Sequence, residues 1–297
     1  MKQLTIISGK GGTGKTTLTA AFAHLAGNPV IADCDVDAAD LHLLLTPEIR
    51  KQELFHGNPV AAIDNERCTQ CGLCESTCRF GAIQTLEVDP ISCEGCGICA
   101  YVCPEKAIIM KERLSGRWYI SDTKDGPMVH AKLGIAAENS GKLVSLVRQQ
   151  AKELAETEKK NLVLIDGPPG IGCPVIASIG GVDLVLVVTE PTLSGLHDLK
   201  RILDVAKHFT IPAMVCINKC DINPENTRII EEYCEEQGVA IAGKIPYDAA
   251  VTRAMISVLS VLEYPCGEVT EAVRKTWETI EDHLVAGSRK PPVALRS

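Results

Sequence analysis

Residues 9–16 read GKGGTGKT, and what flanks them leaves few folds open. LTIIS (4–8), just before the loop, is an apolar run of strand length, and the stretch from Lys15 to about Ala26 has helical composition. A G-x-x-x-x-G-K-[ST] loop between a strand and a helix turns its backbone N–H groups onto phosphate oxygens. Lys15 then reaches the β- and γ-phosphates, and Thr16 holds Mg²⁺. Gly9, Gly11, Gly12, Thr13, Gly14 and Thr17 complete the cradle.

The rest of the chain repeats the alternation. VIADCD (30–35), NLVLIDGPPG (161–170), VDLVLVVTEP (182–191), PAMVCINKCD (212–221) and VAIAGKIPYD (239–248) are apolar runs that stop at polar, glycine or proline residues. Helical stretches lie at 140–159, 194–208, 224–237 and 249–261, and another spans roughly 266–285. Strands without polar alternation, separated by helices, predict an α/β fold: a mostly parallel sheet with helices on both faces. Ligands of such sheets sit at the carboxyl ends of the strands. The loop 9–14 and Asp35, Asp166, Asn218 and Asp248 all fall there, and Asp166 is placed to bind Mg²⁺ through water. Segment 116–133 reads as a hairpin turning at Lys124-Asp125-Gly126.

One region breaks the pattern. Eight of the fourteen cysteines fall between 68 and 103, in two runs of C-x2-C-x2-C-x3-C offset from Cys68 to Cys93. The chain opens on MKQLTIISGK with no charged leader, so a disulfide framework is not expected and a cytoplasmic setting is. Four thiolates suit zinc as well as a cubane, but zinc knuckles are usually separated by a longer stretch. The other six cysteines, at 34, 173, 216, 220, 234 and 266, are expected as small core residues. The division predicted is 1–63 with 112–288 as the main domain, 64–111 as an insert, and 289–297 as a disordered tail.

The duplicated run resembles that of bacterial two-cluster ferredoxins, and that resemblance implies two [4Fe–4S] clusters with crossed ligands. Cys68, Cys71, Cys74 and Cys103 would hold one; Cys93, Cys96, Cys99 and Cys78 the other. Pro104 follows the last cysteine as in that pattern, whereas Arg79 stands where the first repeat would have proline. KGGTGKTT resembles the deviant Walker A motif of the MinD/ParA/nitrogenase-iron-protein class. In that class the early lysine, Lys10 here, reaches the phosphates of a second subunit, so an ATP-dependent homodimer is implied. DCDVDAADL (33–41) looks like its first switch, with Asp35 orienting the attacking water and Asp33 assisting at the metal. DGPPG (166–170) looks like its second switch, with Gly170 near the γ-phosphate. TEPTLSGLHDLKR (189–201) is similar to the members that carry an inserted two-cluster domain. NKCD (218–221) also suits guanine readers, but the class resemblance favours adenine, with Asn218, Asp221 and Pro246 at the base.

These resemblances imply an ATP-hydrolysing iron–sulfur protein, with a redox or metallocofactor-assembly protein as partner. The alternative is a MinD- or ParA-like positioning ATPase whose clusters sense redox state. A net charge of −8 argues against DNA and anionic lipid, and the last helix, with its ETIEDHL, lacks a basic amphipathic anchor. Cys173 follows Asp166 by the offset of a cluster-ligating cysteine in the nitrogenase iron protein. That enzyme needs a second cysteine, and 130–142 has none, so a buried thiol is expected.

Overall fold

The computed structural model describes residues 1–134 and 140–287; the expected tail at 289–297 lies outside them. In chain order the main body begins β1 (Lys2–Ser8), α1 (Lys15–Leu25), β2 (Val30–Asp33), α2 (Leu41–Leu45) and β3 (Glu48–His56). The cysteine-rich segment supplies β4 (Val60–Ile63), α3 (Leu73–Thr77), β5 (Ile83–Gln84), β6 (Glu87–Val88), α4 (Ile98–Val102) and β7 (Ile108–Lys111). The main body resumes with β8 (Leu114–Thr123), β9 (Gly126–Leu133), α5 (Ser140–Thr157), β10 (Leu162–Pro169), α6 (Cys173–Ile179) and β11 (Leu184–Thr189). It ends with α7 (Leu193–His208), β12 (Ala213–Asn218), α8 (Pro224–Gln237), β13 (Ala240–Ile245), α9 (Ala249–Ile256) and α10 (Glu268–Gly287).

Nine strands form one sheet in the order β13-β12-β11-β1-β10-β2-β9-β8-β3. The pairs from β13 to β9 are parallel; β8 runs antiparallel to both β9 and β3. The fold is thus α/β with a mostly parallel sheet, as expected. Side chains alternate between the two faces of a strand, and here both faces are covered. Leu4, Ile6, Leu164 and Leu186 join Phe22 of α1 and Trp277 of α10 on one side. Ile7, Val163, Ile165 and Val187 join residues of α5, α6, α7 and α8 on the other. The Phe22 and Trp277 rings, 5.4 Å apart, lock α10 onto α1. Truncating such a buried ring costs about 3–5 kcal/mol.

Helix α9 stops at Ile256 rather than running to 261, because Ser257 caps it and Val258 takes a left-handed φ of 57°. Among the described helices none is long and apolar enough to cross a membrane.

The insert grows from the sheet edge. β3 pairs with β8 up to His56 and Leu114, Gly57 N–H donates to Arg113 O (3.1 Å), and β4 then pairs with β7. Within the insert the sequence repeat is also a backbone repeat. α3 and α4 each follow a left-handed glycine, Gly72 (φ 75°) and Gly97 (φ 74°), and end at Cys78 and Cys103. Gln70 and Gly95, and Gly81 and Lys106, are likewise both left-handed.

Candidate nucleotide and cluster sites

A cavity of about 530 Å³ opens at the carboxyl ends of β1, β12 and β13, within the size range of ligand sites. Gly11, Gly12, Thr13, Gly14, Lys15, Thr16 and Thr17 line it, with Asp35, Asn218 and Pro246. Gly14 has φ +89°, and a Cβ there would stand 2.3 Å from Asn218 Nδ2, so the close approach of β12 requires glycine. Asn218 Nδ2 donates to Thr13 O (2.7 Å) and ties the loop to β12.

Parallel pairing of β10 with β1 on one side and β2 on the other brings the two acidic strand ends beside the loop. Lys15 Nζ lies 2.8 Å from Asp166 Oδ1 and 3.4 Å from Asp35 Oδ2. Thr16 Oγ1 donates to Asp166 Oδ2 (2.9 Å), and the Thr19 hydroxyl lies 2.9 Å from Asp166 Oδ1. Burial works against the Lys15 ammonium, but the charges of Asp166 and Asp35 and the hydrogen bond to Asp166 more than offset it and raise its pKa. Burial, then the Asp166 charge, pushes the Asp33 carboxyl well above its usual range. Burial also raises the Asp35 carboxyl, against the pull of Lys15. Thr13 Oγ1 and Asp33 Oδ2 are buried without a hydrogen-bond partner, and such orphans call for a ligand, ion or water.

Other expected residues stand apart from the cavity wall. Gly170 (φ +92°) donates its N–H to Ser8 O (2.8 Å), and Gly9 packs under Asp198 of α7. Asp221 Oδ1 accepts the Tyr247 N–H (2.7 Å) at the rim. Lys10 turns away from the loop: its Nζ lies 2.5 Å from Glu190 Oε1 and donates to Ser194 Oγ (3.3 Å). Glu190 Oε2 also takes Lys219 (3.1 Å), which donates to Gly12 O (3.1 Å). Burial would raise the Glu190 carboxyl, but hydrogen bonds from Lys10 and Lys219 reverse that and lower its pKa. Sequence reasoning passed over Glu190, Lys219 and Thr19. An acid at the carboxyl end of β11, the lysine of NKCD and a threonine one turn after Lys15 were the signals available.

In the insert, Cys68, Cys71, Cys74 and Cys103 line one small cavity, so thiols from both repeats meet there. Cys74 and Cys99 are buried in a core shared with Ile83, Ile108 and Ala61, against which Cys78, Cys93 and Cys103 pack. Ala107 N–H points at Cys103 Sγ (3.3 Å). Among the described residues no group of three or more His, Cys, Asp or Glu stands ready for a single metal ion. Of the remaining cysteines, Cys34, Cys216, Cys234 and Cys266 are buried as expected; Cys220 is half-buried. Cys173 is exposed, which corrects the expected buried thiol: it opens α6, and Gly172 before it leaves that turn at the surface.

Solved structures match the fold. The cell division ATPase MinD of Pyrococcus furiosus superposes with TM-score 0.58 at 20% identity, over 95% of this chain and 99% of that one. MinD of Pyrococcus horikoshii complexed with Mg-ADP gives 0.58 at 18%, over 97% and 99%. An uncharacterized protein of Methanocaldococcus jannaschii is 32% identical over 286 residues, 95% of this chain and 97% of its own length. The iron-sulfur cluster carrier protein of Pyrococcus abyssi is 24% identical over 300 residues, 95% and 86% of the two chains. Residues 4–261 match the family described as the CobQ/CobB/MinD/ParA nucleotide binding domain, and the chain belongs to that family.

Proposed function

We propose that the chain is an ATP-binding and ATP-hydrolysing iron–sulfur protein. In this reading 1–63 and 112–288 form the nucleotide switch, and the insert 64–111 carries two [4Fe–4S] clusters. The observation that carries it is the coexistence of two donor sets in one chain. Lys15, Thr16 and Asp166 converge within hydrogen-bond distance, and four thiols from two repeats share one cavity.

On ATP binding, Lys15 exchanges Asp166 and Asp35 for the β- and γ-phosphates, and the loop N–H groups take the phosphate oxygens. Thr16 and Asp166 would hold Mg²⁺, which neutralises charge on those oxygens. Asp35, released from Lys15, orients the attacking water. Lys10 leaves Glu190 for the phosphates of a second copy of the chain, where its charge stabilises the transition state in trans. Adenine is the base we assign. The resemblance of the loop to the deviant Walker A class supports that choice, and Asn218 and Pro246 line the cavity beside the loop.

The clusters would supply one-electron chemistry or be donated in metallocofactor assembly. The crossed sets are Cys68, Cys71, Cys74 and Cys103, then Cys93, Cys96, Cys99 and Cys78. The likeness to an iron-sulfur cluster carrier protein supports an iron–sulfur role, and the Mg-ADP complex of a MinD of the same fold supports the nucleotide. The test is iron content with sedimentation velocity on anaerobically purified protein. About eight irons per chain and an ATP-dependent dimer are expected. A strict monomer with every nucleotide analogue, or a chain that holds zinc, overturns it.

A further inference from the structure

The two cysteine repeats share one backbone but not one environment. Gln70 and Gly95 occupy equivalent places with φ of 56° and 67°, so the left-handed turn itself does not demand glycine. What demands it at 95 is a neighbour. A Cβ there would lie 2.3 Å from Pro59 O, in the connector that leads from β3 into the insert. Asn58 Nδ2 of the same connector donates to Glu94 O (3.3 Å). Arg113, on the returning connector, donates from Nη1 to Pro90 O (2.8 Å). Both connectors therefore grip the loop that carries Cys93 and Cys96. In the first repeat Thr69 and Gln70, the counterparts of Glu94 and Gly95, are exposed.

The outgoing connector is also the end of a short path from the nucleotide cavity. Asp40, Leu43 and Leu44, in and just before α2, line that cavity. β3 follows α2 directly, lies at the sheet edge with β8 as its one strand neighbour, and delivers the chain to Gly57, Asn58 and Pro59. A shift of the cavity wall thus has one strand to travel along before it reaches the Cys93–Cys96 loop. To reach the first repeat it must continue along β4 (Val60–Ile63) to Cys68.

We propose that the second-repeat site, Cys93, Cys96 and Cys99 with Cys78, is the one through which nucleotide state acts on the insert, and that Asn58–Pro59 against Glu94–Gly95 is the coupling contact. The first-repeat site is then the outward one, free to face a partner. This rests on the nucleotide and cluster assignments of the proposed function. A coupling contact needs two states with different free energies, and ATP supplies them only if it binds one cavity shape better.

The repeat provides its own control in a hydrogen-exchange experiment on the anaerobically purified full chain, with and without Mg-AMPPNP. Peptides over 9–17 should be protected, showing that nucleotide is bound. Peptides over 89–97 should change exchange rate at least about twofold, while the equivalent 64–72 stay unchanged. Asn58→Ala should abolish the change at 89–97 and leave protection at 9–17 intact. Equal changes in both repeats, no change in either, or a full response in Asn58→Ala overturns the inference while leaving ATP binding in place. Absence of protection at 9–17 overturns the ATP reading and the inference with it.

Discussion

Replacing Lys15 by alanine removes the ammonium that stands 2.8 Å from Asp166 and 3.4 Å from Asp35, with Asp33 close behind. Lys15 and Asp166 are nearly inaccessible, at 6% and 1% side-chain exposure, so solvent does not replace the lost partner. Breaking a buried pair from one side costs about 3–5 kcal/mol. A ceiling comes from protonation. A carboxyl of ordinary pKa about 3.9 takes up a proton at pH 7 for about 4 kcal/mol, so the variant escapes by that route if the direct penalty is larger. The expected loss at pH 7 without nucleotide is therefore about 3–4 kcal/mol. The folded variant then binds a proton that its unfolded chain does not, so its stability rises as pH falls, by about 1.4 kcal/mol per unit. At pH 5.5 the penalty should shrink to about 2 kcal/mol. Urea unfolding followed by tryptophan fluorescence is suited to the measurement, since Trp118 and Trp277 are buried in the main body's two cores. A loss below about 1 kcal/mol, or one that does not change with pH, would refute the view that Lys15 neutralises this acidic cluster.

Glu190→Gln should leave Lys10 without its carboxylate partner, and amine acylation read by mass spectrometry should then label Lys10 several-fold faster than in the parent; equal rates would show that Glu190 does not hold it. His130, hydrogen-bonded to Ser121 and pressed by burial and by His42 down to about 4, stays neutral in the folded state while the unfolded chain protonates near 6.5. Stability should fall by up to about 3 kcal/mol as pH drops from 6.5 to 4, and His130→Gln should flatten that slope in urea titrations at several pH values. Cys71→Ser should lower the iron content by about half and leave the second-repeat cluster in place; loss of all the iron, or of none, would contradict separate sites.

Much of the fold was legible because buried parallel strands are written as plain apolar runs, and β1, β2, β10, β11 and β12 all are. β3 was not. EIRKQELFH buries only Phe55, as an edge strand can, so it carries neither an apolar run nor a period-two pattern. α2 is a single short turn whose N-cap, Asp40, makes no side-chain capping hydrogen bond. At the site, the loop and Asp166 were readable from local spacing. The Lys10–Glu190–Lys219 bridge was not, because it depends on β11 lying between β1 and β12. The same holds for Gly95: the sequence shows glycine against Gln70 in the repeat, and only Pro59 gives the difference a cause.

The claim that ATP and the cysteine clusters form one machine is tested most directly by anaerobic EPR of the dithionite-reduced full-length protein with and without Mg-ATP. The account predicts that bound nucleotide changes the signal. Identical spectra with ATP shown to be bound in the same sample would contradict it, leaving two modules that share a chain and nothing more.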